Sequence, residues 1–104
     1  MTPRRFRLQR LSALAMAPLV ITHLAVMIYA IQGGLTSAEI LARTQSTPLW
    51  ALFYETFVLT AALHGAIGIR TIAAEWLGWD SPPLMWATGL ILAATGTYAV
   101  WAVT

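Results

Sequence analysis

Two histidines and one glutamate stand inside long apolar stretches of this chain. His23 follows Val20-Ile21-Thr22, Glu55 sits in Leu52-Phe53-Tyr54-Glu55-Thr56-Phe57, and His64 lies in Ala61-Ala62-Leu63-His64-Gly65-Ala66-Ile67-Gly68-Ile69-Arg70. An ionisable side chain in hydrocarbon is costly, so each is a functional candidate by default. Imidazole chemistry there means ligation of a metal or heme iron, or proton transfer. The plainer reading is a polar contact between helices. Two histidines on separate segments, in a chain with so little other polarity, favour ligation. Small residues around His64 let neighbouring backbones approach closely and leave room for a flat macrocycle. Gly68, four residues on, shares the face of His64 on a helix. Arg70 suits an anionic partner such as a heme propionate or a lipid phosphate.

Three apolar segments must position these residues. The chain has 104 residues, of which 59% are apolar and 10% charged. A soluble domain carries roughly 25% charged residues, and disorder needs low hydrophobicity. The composition reads as one integral-membrane domain over residues 1–104, all-α, with spans at about 11–31, 48–72 and 83–104. Each reaches the roughly 20 residues an α-helix needs to cross hydrocarbon. Alternation at period two is absent, and a chain this short closes no β-barrel. The first stretch has a basic start but exceeds a signal-peptide core, so it reads as a retained span. There is no cysteine, which excludes a disulfide framework, a thiolate metal site and an iron–sulfur cluster held by this chain. A net charge of +2 with clustered arginines gives no footprint for nucleic acid.

The connections carry their own signals. Gln32-Gly33-Gly34 closes the first span, Thr36 to Glu39 has capping-box spacing, and a short surface helix from about Ser37 to Thr44 is expected. Thr47-Pro48 offers a cap and a first-turn proline for the second span. Asp80-Ser81-Pro82-Pro83 is the turn before the third. Arg4, Arg5, Arg7 and Arg10 precede the first span and Arg70 ends the second, whereas Arg43 alone lies in the first loop. The positive-inside rule therefore puts the N-terminus and second loop in the cytoplasm and the C-terminus outside. Trp50, Trp76, Trp79, Trp86 and Trp101, with Tyr29, Tyr54 and Tyr98, read as interfacial anchors. Pro18 removes one backbone hydrogen bond in the first span. Glu55 reads either as an interfacial carboxylate or as part of a proton path.

Arg10-Leu11-Ser12 at the head of the first span, followed by His64-Gly65-Ala66-Ile67-Gly68-Ile69-Arg70 in the second, resembles the cytochrome b membrane-anchor subunit of succinate dehydrogenase and fumarate reductase. That family opens helix one with HR-x-[ST]-G and closes helix two with H-x-x-x-G-x-R. The resemblance covers about Arg7 to Asp80. It implies that His64 ligates heme b, with Gly68 and Arg70 beside it, and that Arg10 and Ser12 belong to a quinone site. Gln9 stands where the family usually has histidine, Ala13 where it has glycine, and Phe6 where a serine is common. Thr22-His23-Leu24 is similar to the helix-one histidine of the five-helix, two-heme anchors, which makes His23 a second candidate ligand for heme iron. The partners implied are an iron–sulfur subunit, a flavoprotein subunit and either a second anchor subunit or a second copy of this chain. Membrane lipid surrounds them, in a bacterial-type inner membrane.

Helix rise separates the two histidines in depth. His23 lies about 20 Å from Arg10, and His64 about 9 Å from Arg70, at 1.5 Å per residue. Antiparallel spans then leave the imidazoles roughly 10 Å apart in depth, too far to share one iron. Each histidine is half of a site that another chain completes. Two readings from other classes stand beside this one: a heme-free structural anchor, and a small pore or transporter subunit lined by His23, Glu55 and His64.

Overall fold

The computed structural model describes residues 2–104. Four helices follow one another: α1 (Pro3–Gly33), α2 (Ser37–Thr44), α3 (Pro48–Leu77) and α4 (Pro82–Val103). There is no strand among the described residues. Three of the helices, α1, α3 and α4, are long and apolar enough to cross a membrane.

Local chemistry sets most helix ends. The Thr2 hydroxyl accepts from the Arg5 amide at 3.3 Å, and Pro3 supplies a φ already suited to a first turn. The Thr36 hydroxyl accepts from the Glu39 amide at 3.2 Å and donates to the Glu39 carboxylate at 2.9 Å. The Ser81 hydroxyl accepts from the Leu84 amide at 3.2 Å to open α4. Thr47 occupies the N-cap position of α3 but makes no side-chain capping bond, so Pro48, rather than a threonine cap, marks that start. Gly78, with φ +68°, ends α3 in the left-handed region. α1 runs unbroken through Pro18.

α1 and α3 extend beyond the expected spans, to Pro3 at one end and Leu77 at the other. Hydropathy marks only the hydrocarbon-length part of a helix. Arginine, leucine and glutamine are good helix formers in water as well, so the coil of α1 continues through the arginine cluster. A helix of 31 residues is about 46 Å long, and the longest extent of the molecule is 47 Å. The hydrocarbon layer is about 30 Å thick. The surplus turns of α1 and α3 therefore lie at the same end of the antiparallel pair.

α3 is central: α1 and α4 both pack on it, α4 more extensively. The buried apolar residues are Ala30, Ala62, Ala66, Ile67, Ala73 and Val100. Small residues at the seam let backbones approach, which is how helices associate when lipid is as apolar as leucine. A Cβ added at Gly89 would lie 3.2 Å from the Ala66 Cβ, and one at Gly96 would collide with Val58. Large apolar side chains such as Leu14, Ile28, Leu52 and Ile91 face outward, toward the lipid.

Candidate functional site

The His64 imidazole is tied to α1. Its Nδ1 lies 3.1 Å from the Ser12 Oγ, and the Ser12 Oγ lies 2.9 Å from the Gln9 carbonyl oxygen. With its proton on the Gln9 carbonyl, the Ser12 oxygen is free to accept from Nδ1–H of His64. In that tautomer Nε2 carries the free lone pair. Ser12 is buried, at 5% exposure, and is one of three buried polar side chains among the described residues.

A cleft of about 480 Å³ runs beside this pair, lined by Gln9, His64, Gly65, Gly68, Thr71 and Ile72 among others. Gly68 shares the face of His64, as its spacing requires. A Cβ there would sit 3.4 Å from the Gln9 side-chain nitrogen, so Gly68 keeps the α1 side of the cleft open. Gly65 serves a different neighbour: its added Cβ would meet Leu92 of α4 at 3.2 Å. The Gln9 Oε1 is buried without a hydrogen-bond partner, leaving an unsatisfied acceptor close to the imidazole.

Arg70 closes the same end of α3. Its Nε donates to Asp80 Oδ1 at 2.7 Å and its Nη2 to Asp80 Oδ2 at 3.5 Å, with Nη1 3.8 Å from the Met85 sulfur. Arg5 of α1 adds a longer ion pair to Asp80, at 3.7 Å. The Arg70 hydrogen bond, helped by the charges of Arg70 and Arg5, holds the Asp80 carboxyl below its ordinary value. Arg70 thus has a carboxylate partner within the chain, Asp80. Asp80, which spacing alone does not single out, joins the α3–α4 turn to both arginines.

Arg10 and Ser12 do not come together. Two residues apart on a helix they face nearly opposite ways. Ser12 points at α3, whereas Arg10 is exposed with its guanidinium 5.5 Å from the Phe6 ring centroid. His23 sits elsewhere again. Its ring meets Phe57 edge-on at 5.3 Å and Tyr54 at 6.3 Å, and it makes no hydrogen bond among the described residues. It lines a second cleft of about 490 Å³ with Tyr54, Val58, Gly96 and Val103. Counted along α1 from Ser12 or along α3 from Phe57, the two histidines differ in level by about 10–16 Å. Glu55 is held at the α3–α4 seam, where the Thr97 hydroxyl donates to its Oε1 at 2.7 Å. Among the described residues no three histidine, cysteine or acidic side chains gather in a set able to hold a metal ion.

The model of the succinate dehydrogenase/fumarate reductase transmembrane subunit family covers residues 4–104. The chain belongs to that family. No curated protein and no solved structure matches it. Membership makes the chain a multi-pass subunit that anchors a succinate dehydrogenase or fumarate reductase complex in the membrane. Within this transmembrane subunit the Ser12–His64 contact spans the gap between the two sequence elements that carry the resemblance.

Proposed function

We propose that this anchor binds heme b through His64 and passes electrons to quinone. It would serve a complex whose flavoprotein and iron–sulfur subunits dock at the arginine-rich end. The observation that carries the reading is the Ser12–His64 hydrogen bond beside an open cleft. A heme-ligating histidine commonly has its second nitrogen held by a hydrogen bond, which fixes ring orientation and tautomer. Ser12 does this for Nδ1, and the donor set therefore fits an axial ligand at Nε2. Gly68 keeps the adjoining wall low. When bound, heme b supplies one-electron storage between the iron–sulfur subunit and quinone.

The chain's own residues have distinct tasks in this reading. Ser12 orients His64, so its role is positioning rather than quinone contact. Arg70, with Asp80 and Arg5, braces the end of α3 against α1 and the turn. Arg10, exposed near the start of α1, offers a cation for a quinone oxygen or the iron–sulfur partner. A heme held by His64 would be completed by another chain, either a different anchor subunit or a second copy of this one. An axis along the membrane normal keeps each His64 at the depth of its mate. In this reading the N-terminus lies in the cytoplasm, as the clustering of arginines before α1 supports, and the complex belongs to a bacterial-type inner membrane.

His23 supports a second reading of its own position. Edge-on contacts to two aromatic rings and the lack of a hydrogen bond favour packing over ligation at that level. A pyridine hemochrome assay on the detergent-purified complex tests both readings. His64→Ala is expected to abolish the b-heme signal and His23→Ala to leave it. A signal halved by His23→Ala would establish a second heme. A wild-type complex with no heme at all would refute ligation by His64 and leave a structural anchor.

A further inference from the structure

The face of α3 opposite the His64 cleft carries a groove that the electron path does not use. α1 and α4 both lean on α3 but scarcely on each other. Between them lies an apolar groove of about 410 Å³. Its floor is Ala62 and Ala66, both buried, and Gly89 adds no side chain. Leu8 and Trp86 form the two walls, and Arg4 and Arg5 stand at its head. Arg4 makes no ion pair among the described residues, and Arg5 makes a long one to Asp80, at 3.7 Å, beside a 3.5 Å hydrogen bond to the Thr2 hydroxyl. Trp86 is 65% exposed, as an indole at a membrane interface is.

We infer that this groove holds an anionic phospholipid, with its phosphate against Arg4 and Arg5 and an acyl chain along Ala62 and Ala66. Two features specify that occupant over another helix: the head is cationic and the length below it is apolar. Basic pockets between membrane helices recognise anionic head groups in this way. The reading depends on the chain crossing the membrane and is independent of heme.

The test is native mass spectrometry of the purified complex, released from nanodiscs of phosphatidylglycerol mixed with phosphatidylcholine. Wild type is expected to retain phosphatidylglycerol in preference to phosphatidylcholine. The double variant Arg4→Gln/Arg5→Gln is expected to lower that preference roughly 10- to 30-fold, as the loss of two interfacial charges implies. Leu8→Trp fills the groove from an exposed wall and is expected to reduce retention of both lipids. Arg43→Gln, at the far end of α1, is expected to change neither. The subunit masses in the same spectra report whether each variant still assembles. An unchanged preference in the double variant would overturn the proposal. So would displacement of the lipid by added quinone or by inorganic phosphate, or a crosslink from Leu8 to a second copy.

Discussion

The two histidines sit in the same kind of helix yet are held by different physics. His64 is fixed by a directed hydrogen bond from its ring to a buried serine on α1. That bond holds the ring in one orientation. His23 is fixed by shape, edge-on against Phe57 and Tyr54, and nothing there distinguishes its two nitrogens. The contrast extends to the ends of the bundle. The arginine end is organised by charge, through Arg70, Asp80 and Arg5. The other end is organised by rings and close backbones: Trp50 stacks on Tyr54 with centroids 6.0 Å apart, and Gly96 admits Val58. A polar partner orients the His64 imidazole, whereas ring contacts alone orient His23.

The sharpest way to break this comparison is to remove that partner. Ser12→Ala is expected to lower heme affinity about 10- to 100-fold, the usual effect of losing the group that holds a ligating histidine. Ser12→Thr should restore much of it. Titration of the purified complex with hemin, followed by the Soret band, measures both. Equal affinity in Ser12→Ala would mean that the bond does not prepare His64.

The shape-determined end should answer to volume instead. Gly96→Val forces side-chain atoms into Val58 and is expected to destabilise the bundle by about 1–3 kcal/mol, as overpacking does. Unfolding by sodium dodecyl sulfate in mixed micelles reads this, and heme content at His64 should fall less than stability does. Thr97→Val removes the donor to Glu55 across the same seam. Interhelical hydrogen bonds of this kind average about 0.6 kcal/mol, so a small loss in the same assay is expected. A large loss would give Glu55 a role beyond the seam.

The smallest effect belongs to the charged end. Because Arg70 and Arg5 depress the Asp80 pKa in the folded chain, the stabilisation is present above the ordinary carboxylate pKa. It is lost as pH falls through the lower, folded value. Asp80 is exposed, so water and salt weaken the effect. Asp80→Asn should mimic acid at neutral pH, seen as faster amide exchange in the α3–α4 turn with little change in global unfolding.

Much of the architecture was legible in the residues. The hydropathy of three segments and their glycine and proline boundaries specified three crossing helices. The H-x-x-x-G-x-R spacing at His64 pointed to the family. Helix ends were less legible, because hydropathy reports the hydrocarbon and not the coil: α1 begins at Pro3, well before Leu11. In the sequence Asp80 reads only as part of a turn, since a lone carboxylate shows no partner until the turn folds back on Arg70 and Arg5.

The sequence by itself determined how many helices cross, what each is made of and which residues are costly to bury. These properties are local, set by transfer free energy and helix propensity along one chain. Only the tertiary structure decided the register between α1 and α3. That register gave His64 a serine and His23 an aromatic wall. It is set by how small residues let backbones meet across the seam, a property of pairs of helices that no single segment contains.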